Sequence, residues 1–163
     1  MKHGLPPILW PHARILVLGS LPGDESLRRQ EYYGHPHNTF WAILEHIFGE
    51  EVGGAYADKL RFLEAHGIAL WDVLERAERR GSLDKNIRNG VPNDFDALFA
   101  RLPALGVIAL NGRDAQKSSQ RVQARYSARL TTVRILSMPS TSPAHASLSV
   151  AEKAELWRAI TLP

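Results

Sequence analysis

Ala13-Arg14-Ile15-Leu16-Val17-Leu18-Gly19-Ser20-Leu21-Pro22-Gly23 is the stretch on which the reading of this chain turns. Ile15 to Leu18 carry no polar residue, as in a strand buried on both faces; a strand with one wet face alternates. Gly19 to Gly23 then stop the strand in a tight loop. Outward from this unit the same pattern recurs. Ile68 to Val73 reads as a second strand. Val107 to Leu110 reads as a third, ending at Asn111-Gly112. Val133 to Met138 reads as a fourth, ending in Pro139-Ser140-Thr141-Ser142-Pro143. Helical faces lie between them. From Thr39 onward, Phe40, Trp41, Ile43, Leu44, Ile47 and Phe48 share one face, and Gly49 ends the helix. Tyr56, Leu60 and Leu63 form another, closed by Gly67. Asn93 is expected to cap a helix carrying Phe95, Leu98, Phe99 and Leu102. A polar helix spans roughly Arg113 to Tyr126. Ser149 with Glu152 makes a capping box for a last helix, expected to bury Leu156, Trp157 and Ile160. Strands separated by helices predict an α/β fold with a parallel sheet covered on both faces. Its ligand site belongs beyond the carboxyl ends of the strands.

The 163 residues fit one domain, 1–163, and 44% hydrophobic residues place the chain among ordinary globular proteins. Its longest apolar runs are strand-sized, too short to span a membrane. Pro6, Pro7, Pro11 and His12 break any signal-peptide layout, so a cytoplasmic protein is expected. There is no cysteine, which excludes disulfides, thiolate catalysis, zinc ribbons and iron–sulfur clusters. The net charge of +3 suits a polyanionic partner but equally suits many metabolic enzymes.

Three segments can carry chemistry. The first loop, Gly19-Ser20-Leu21-Pro22-Gly23, offers backbone amides and close approach to a ligand. It lacks the Gly-Lys-Ser/Thr of a phosphate loop, and as an isolated turn it needs no ligand. The second, Tyr32-Tyr33-Gly34-His35-Pro36-His37-Asn38-Thr39-Phe40-Trp41, is dense in aromatic, imidazole and amide groups. Tyr32 and Tyr33 can stack on a planar base. Asn38 can hold a water or a base edge, or simply cap a helix. Phe40 and Trp41 lie on the apolar stripe. His35 and His37 lack the carboxylate or cysteine support a metal needs, so no metal or cofactor is expected. In the third segment, Met138 to His145, the hydroxyls of Ser140, Thr141 and Ser142 suit phosphate contacts, and Pro143 and Ala144 can press into a groove. Asp24, Glu25, Asp72 and Asp84 are the carboxylates available for general-base work. Asp24 and Glu25 also read as first-turn helix charges, and Asp72 as a loop brace. No Ser-His-Asp arrangement can be assigned.

Gly-Ser-Leu-Pro-Gly at 19–23, Tyr-Tyr-Gly-His-Pro-His-Asn-Thr-Phe-Trp at 32–41 and Met-Pro-Ser-Thr-Ser-Pro-Ala at 138–144 together resemble the uracil-DNA glycosylase superfamily, in particular its family 6, the hypoxanthine-DNA (deoxyinosine) glycosylases. The order and intervals agree over nearly the whole chain. The resemblance implies a three-layer α/β/α sandwich around a four-stranded parallel sheet. It implies a base pocket bordered by Gly19, Ser20, Leu21, Pro22 and Gly23, together with Tyr33, His35, Phe40 and Asp72. It also implies a DNA-binding loop formed by Pro139, Ser140, Thr141, Ser142, Pro143, Ala144 and His145. Mismatch-specific relatives carry an asparagine where this chain has Leu21; the essential asparagine of family 6 is similar in placement to Asn38. The main uracil-excising family begins its last motif with histidine, where this chain has Met138.

The expectation is a monomeric, monofunctional glycosylase acting on DNA that contains a deaminated base, needing neither metal nor cofactor. The missing motif lysine argues against a Schiff-base lyase step. A mismatch uracil glycosylase, a catalytically silent DNA-binding module and a small-molecule hydrolase of the same sheet class stand as alternatives.

Overall fold

The computed structural model describes residues 1–163. The strands are β1 (Lys2–His3), β2 (Ile15–Gly19), β3 (Ile68–Asp72), β4 (Leu74–Glu78), β5 (Arg88–Pro92), β6 (Val107–Asn111) and β7 (Arg134–Met138). The helices are α1 (Asp24–Arg29), α2 (Phe40–Phe48), α3 (Tyr56–His66), α4 (Phe95–Ala100), α5 (Arg113–Arg125) and α6 (Val150–Trp157). Short 3₁₀ turns occupy Asp84–Asn86 and Arg158–Thr161.

The main sheet has the order β3-β2-β6-β7 and every pairing in it is parallel. All residues of β2, β3 and β6 are buried. Successive side chains of a strand point to opposite faces, so helices must cover the sheet on both sides. This is the expected three-layer α/β/α fold. Helix α5 packs on β2 and β6, α3 packs on β3, and α2 lies against α6. No helix is long and apolar enough to cross a membrane.

The helix ends follow from local chemistry. Gly49 and Gly67 terminate α2 and α3 at φ 65° and 64°, a left-handed conformation that only glycine adopts without penalty. Ser149 and Glu152 form the full capping box of α6. Two expectations are corrected. The cap of α4 is Asp94, whose side chain accepts from the Asp96 N–H; Asn93 instead turns back and donates to the Asp72 carbonyl at 2.8 Å. Leu156 is 52% exposed, because α6 turns only its Lys153–Ala154–Trp157 side inward.

A second sheet is not foreshadowed by the sequence. Strands β1, β4 and β5 pair antiparallel in the order β1-β4-β5. Leu74-Glu75-Arg76-Ala77-Glu78 is mostly charged, and register shifts interrupt its pairing with β5. The period-2 signal of a half-buried strand is lost in consequence. The β4–β5 hairpin follows directly from β3, at one edge of the parallel sheet.

Candidate active site

The four parallel strands end at Gly19, Asp72, Asn111 and Met138, all on the carboxyl edge, and a cavity of about 1180 Å³ opens there. The first loop, Tyr33, His35, Asn38 and the 139–145 loop all line it. These expected residues, far apart in sequence, are thus brought to one place because each follows a strand of one sheet or leads into a helix beside it.

Gly19 forms the floor. A Cβ there would sit 2.4 Å from the Asp72 Oδ1 and 3.7 Å from the Tyr33 hydroxyl. A glycine is what lets these two groups approach the end of β2. The Tyr33 hydroxyl and the Asp72 Oδ2 are buried without a hydrogen-bond partner. Such orphans are rare, since burying an unpaired polar group costs about 1–3 kcal/mol. Burial, with a lesser contribution from the nearby Asp84, pushes the Asp72 carboxyl up to about 7, while the Arg79 guanidinium opposes the shift. Burial likewise pushes the Tyr33 phenol well above its ordinary value. Near neutral pH the floor therefore carries a phenol and a carboxyl that holds its proton far more readily than an exposed one.

Tyr33 is held with φ 54°, and its ring stacks on Phe40 with centroids 4.1 Å apart. Phe40 itself is fully buried behind Tyr33 and does not line the cavity. Tyr32 is buried too; its hydroxyl donates to the Pro6 carbonyl at 2.9 Å, so it braces the N-terminal segment instead of offering a free stacking face. His35 and His37 are exposed, with ring centroids 5.5 Å apart.

Asn38 reconciles two readings. Its Oδ1 accepts the Phe40 N–H at 3.0 Å, so the carboxamide does cap α2 although Thr39 occupies the N-cap position. Because an N–H can only donate to oxygen, this bond fixes the amide orientation. The Nδ2 hydrogens and the second lone pair of Oδ1 are left for the cavity.

The 139–145 loop is pinned from beneath. The Asn111 amide donates to the Thr141 hydroxyl at 3.0 Å, and its Oδ1 accepts the Thr141 N–H at 3.0 Å. The Thr141 carbonyl accepts the Thr39 N–H at 3.0 Å, tying this loop to the start of α2. The expected phosphate contact of Thr141 is therefore corrected: it is 1% exposed and works as a clamp. Ser140 and Ser142 are partly exposed; Pro143, Ala144 and His145 are fully at the surface. Lys153, 3% exposed, donates to the His145 carbonyl at 2.5 Å.

The carboxylates separate clearly. Asp24 pairs with Lys2 at 2.5 Å, and Glu25 with Arg28 and Arg29 at 2.5 and 2.6 Å; these partners hold both carboxyls low. Asp84 is partly buried at the cavity, where burial pushes its carboxyl up and the Ser20 hydroxyl opposes the shift. Two positioning residues carry no sequence signal. Asn111 reads in sequence as part of a strand-ending turn. Arg79 stands among charged residues, Glu75 to Arg80, yet its side chain is fully buried and donates to the carbonyls of Leu21, Pro22 and Gly81.

Residues 6–161 match the model of the uracil DNA glycosylase superfamily. A hypoxanthine DNA glycosylase of Methanosarcina acetivorans is 45% identical over 116 residues, covering 71% of this chain and 73% of that protein. A hypoxanthine DNA glycosylase of Methanosarcina barkeri is 41% identical over 113 residues, 69% of this chain and 72% of its own length. A solution NMR structure of a Methanosarcina acetivorans protein, described as a candidate uracil DNA glycosylase, superposes with a TM-score of 0.78 at 36% identity, covering 99% of both chains. The family model spans nearly the whole chain, and the chain belongs to the uracil DNA glycosylase superfamily.

Proposed function

We propose that this protein is a monofunctional DNA glycosylase that removes hypoxanthine from deoxyinosine and leaves an abasic site. The observation that carries the reading is the cavity floor, where two unpartnered polar groups meet above a residue without a side chain. A neutral carboxyl both donates and accepts. It therefore matches the N1–H and C6=O edge of hypoxanthine, an edge that a carboxylate would repel at its oxygen. The cavity exceeds the need of a base alone and runs between exposed cations, Lys85, Arg113 and Lys117, as a nucleic-acid strand requires.

The nucleotide is drawn out of the stack at a cost of a few kcal/mol, less for a mispaired base. Pro143 and Ala144 of the 139–145 loop support the duplex left behind, and Ser140 and Ser142 meet phosphates. The extruded base rests on the Gly19 floor against Tyr33. As the C1′–N9 bond lengthens, the electron pair leaves with the base and the sugar acquires oxocarbenium character. First-loop amides face the developing negative charge. Asn38 holds a water whose oxygen bonds to C1′; the proton that water loses ends on solvent, and the departing base takes up one in turn. An amide is no strong base, and positioning supplies most of its gain. The open cavity edge suits a monomer wrapping its substrate.

Single-turnover cleavage of labelled duplexes containing one deoxyinosine, uracil or xanthine, with alkali revealing abasic sites, tests this reading. Deoxyinosine is expected to be cut, and Asn38→Ala to lower the rate at least about a hundredfold. Asn38→Asp keeps an acceptor for the Phe40 N–H and so keeps the cap. If Asn38→Asp keeps full activity, a carboxylate holds the water in the amide's place; if Asn38→Ala keeps full activity, Asn38 serves only the helix. Cleavage of uracil alone would move the chain to a uracil-specific branch.

A further inference from the structure

Four large apolar side chains are exposed: Met1, Leu83, Leu156 and Leu162. Met1 and Leu162 are at the chain ends, and Leu156 is on the outer side of α6. Leu83, 43% exposed, alone lines the cavity. It sits in the turn of the β4–β5 hairpin, and that turn is firmly held from below. Arg79 grips the Leu21 and Pro22 carbonyls, Lys2 donates to the Gly81 carbonyl at 2.6 Å, and the Ser82 hydroxyl accepts the Asp24 N–H at 2.9 Å. A leucine on a fixed base facing water gains nothing for the fold. Arg80, Lys85 and Arg88 are exposed around it.

The topology sets this turn apart from the 139–145 loop. The hairpin leaves β3 and the loop leaves β7, the two ends of the parallel sheet. Three strand spacings put their roots about 14 Å apart. Both line the same cavity, the hairpin through Leu83, Asp84 and Lys85 and the loop through Pro143, Ala144 and His145. Rooted on opposite edges of the sheet, the two segments flank the cavity from its two sides, with cations on the hairpin placed to meet phosphates.

Resting on the glycosylase reading, we propose that the β4–β5 hairpin is a second DNA-contacting finger, and that Leu83 is an apolar wedge entering the duplex beside the extruded nucleotide, from the side opposite Pro143 and Ala144. Two wedges hold the gap from both ends, so the wedge matters for a duplex and is idle on a single strand, which has no stack to open.

The test uses deoxyinosine duplexes and the same single strands, with 2-aminopurine beside the lesion, followed by rapid mixing before cleavage. The intact protein is expected to raise 2-aminopurine fluorescence on the duplex. Leu83→Ala should lose most of that rise and cut the duplex about tenfold more slowly, the equivalent of one contact of about 1.4 kcal/mol, while single-strand cleavage stays unchanged. Leu83→Met should restore both signals. Because Leu83 is outside the core, an unchanged urea midpoint accompanies each variant. An unchanged fluorescence rise in Leu83→Ala, equal losses on duplex and single strand, or no duplex unstacking by the intact protein would overturn the wedge. A protein that unstacks through Leu83 yet excises no base would keep the wedge and end the glycosylase proposal.

Discussion

Asp72 carries the sharpest consequence at the scale of single residues. Its carboxyl titrates near 7 in the folded protein, against 3.8 for an unperturbed group. Between these values the folded state keeps a proton that the unfolded chain has released. Stability therefore falls as pH rises from about 4 to about 7 and levels off above, a difference on the order of 4 kcal/mol. Asp72→Asn removes the ionisation, so its unfolding midpoint at pH 8 should rise and the slope across the window should shrink. An Asn amide also donates and accepts. Its cleavage of deoxyinosine should therefore stay level between pH 6 and 8, where the unmodified protein is expected to lose activity as Asp72 ionises. A variant that still loses activity over that range would assign the titration to another group.

Among elements, the informative one is the β4–β5 hairpin, which the first loop depends on. Arg79 reaches from the end of β4 and donates to three carbonyls, including those of Leu21 and Pro22. A guanidinium fork serves several acceptors at once, and an ammonium cannot reproduce that geometry. Arg79→Lys is expected to lower stability by about 2 kcal/mol, read as a shift of the urea midpoint, because buried carbonyls lose charged donors. Deoxyinosine cleavage should fall with it, since the loop beside the base loses its brace. Equal stability in the variant would mean that water replaces the lost donors.

At the scale of the whole molecule, electrostatics decides how the substrate arrives. A net charge of +3 is modest, yet Lys85, Arg113 and Lys117 are exposed along the cavity. Each phosphate neutralised contributes about 0.9 to the slope of log affinity against log salt on a duplex. The double variant Arg113→Ala, Lys117→Ala should therefore show a slope smaller by about two, with weaker binding on all sequences alike. Duplex binding measured from low to moderate salt gives that slope directly. An unchanged slope would place the DNA elsewhere on the surface.

The parallel sheet, its carboxyl-edge site and the positions of Asn38 and the 139–145 loop were legible in the chain. Ile15–Leu18, Ile68–Trp71 and Val107–Leu110 are unbroken apolar runs, and Gly19, Gly67 and Gly112 mark where they stop or start. Such signals are local, and burial on both faces leaves a strand little alternative. The charged β4 was not legible, nor were the clamps of Arg79 and Asn111, nor the fact that Thr141 is turned inward. Arg79 acts on residues 57 and 58 positions away, and Asn111 on one 30 positions away. Asp72 is the clearest case. Sequence could place a carboxylate at a strand end, but only its burial beside Tyr33 and Gly19, with the Asp84 charge nearby, removes water and makes it a weak acid, because desolvation belongs to the assembled site and to no residue alone.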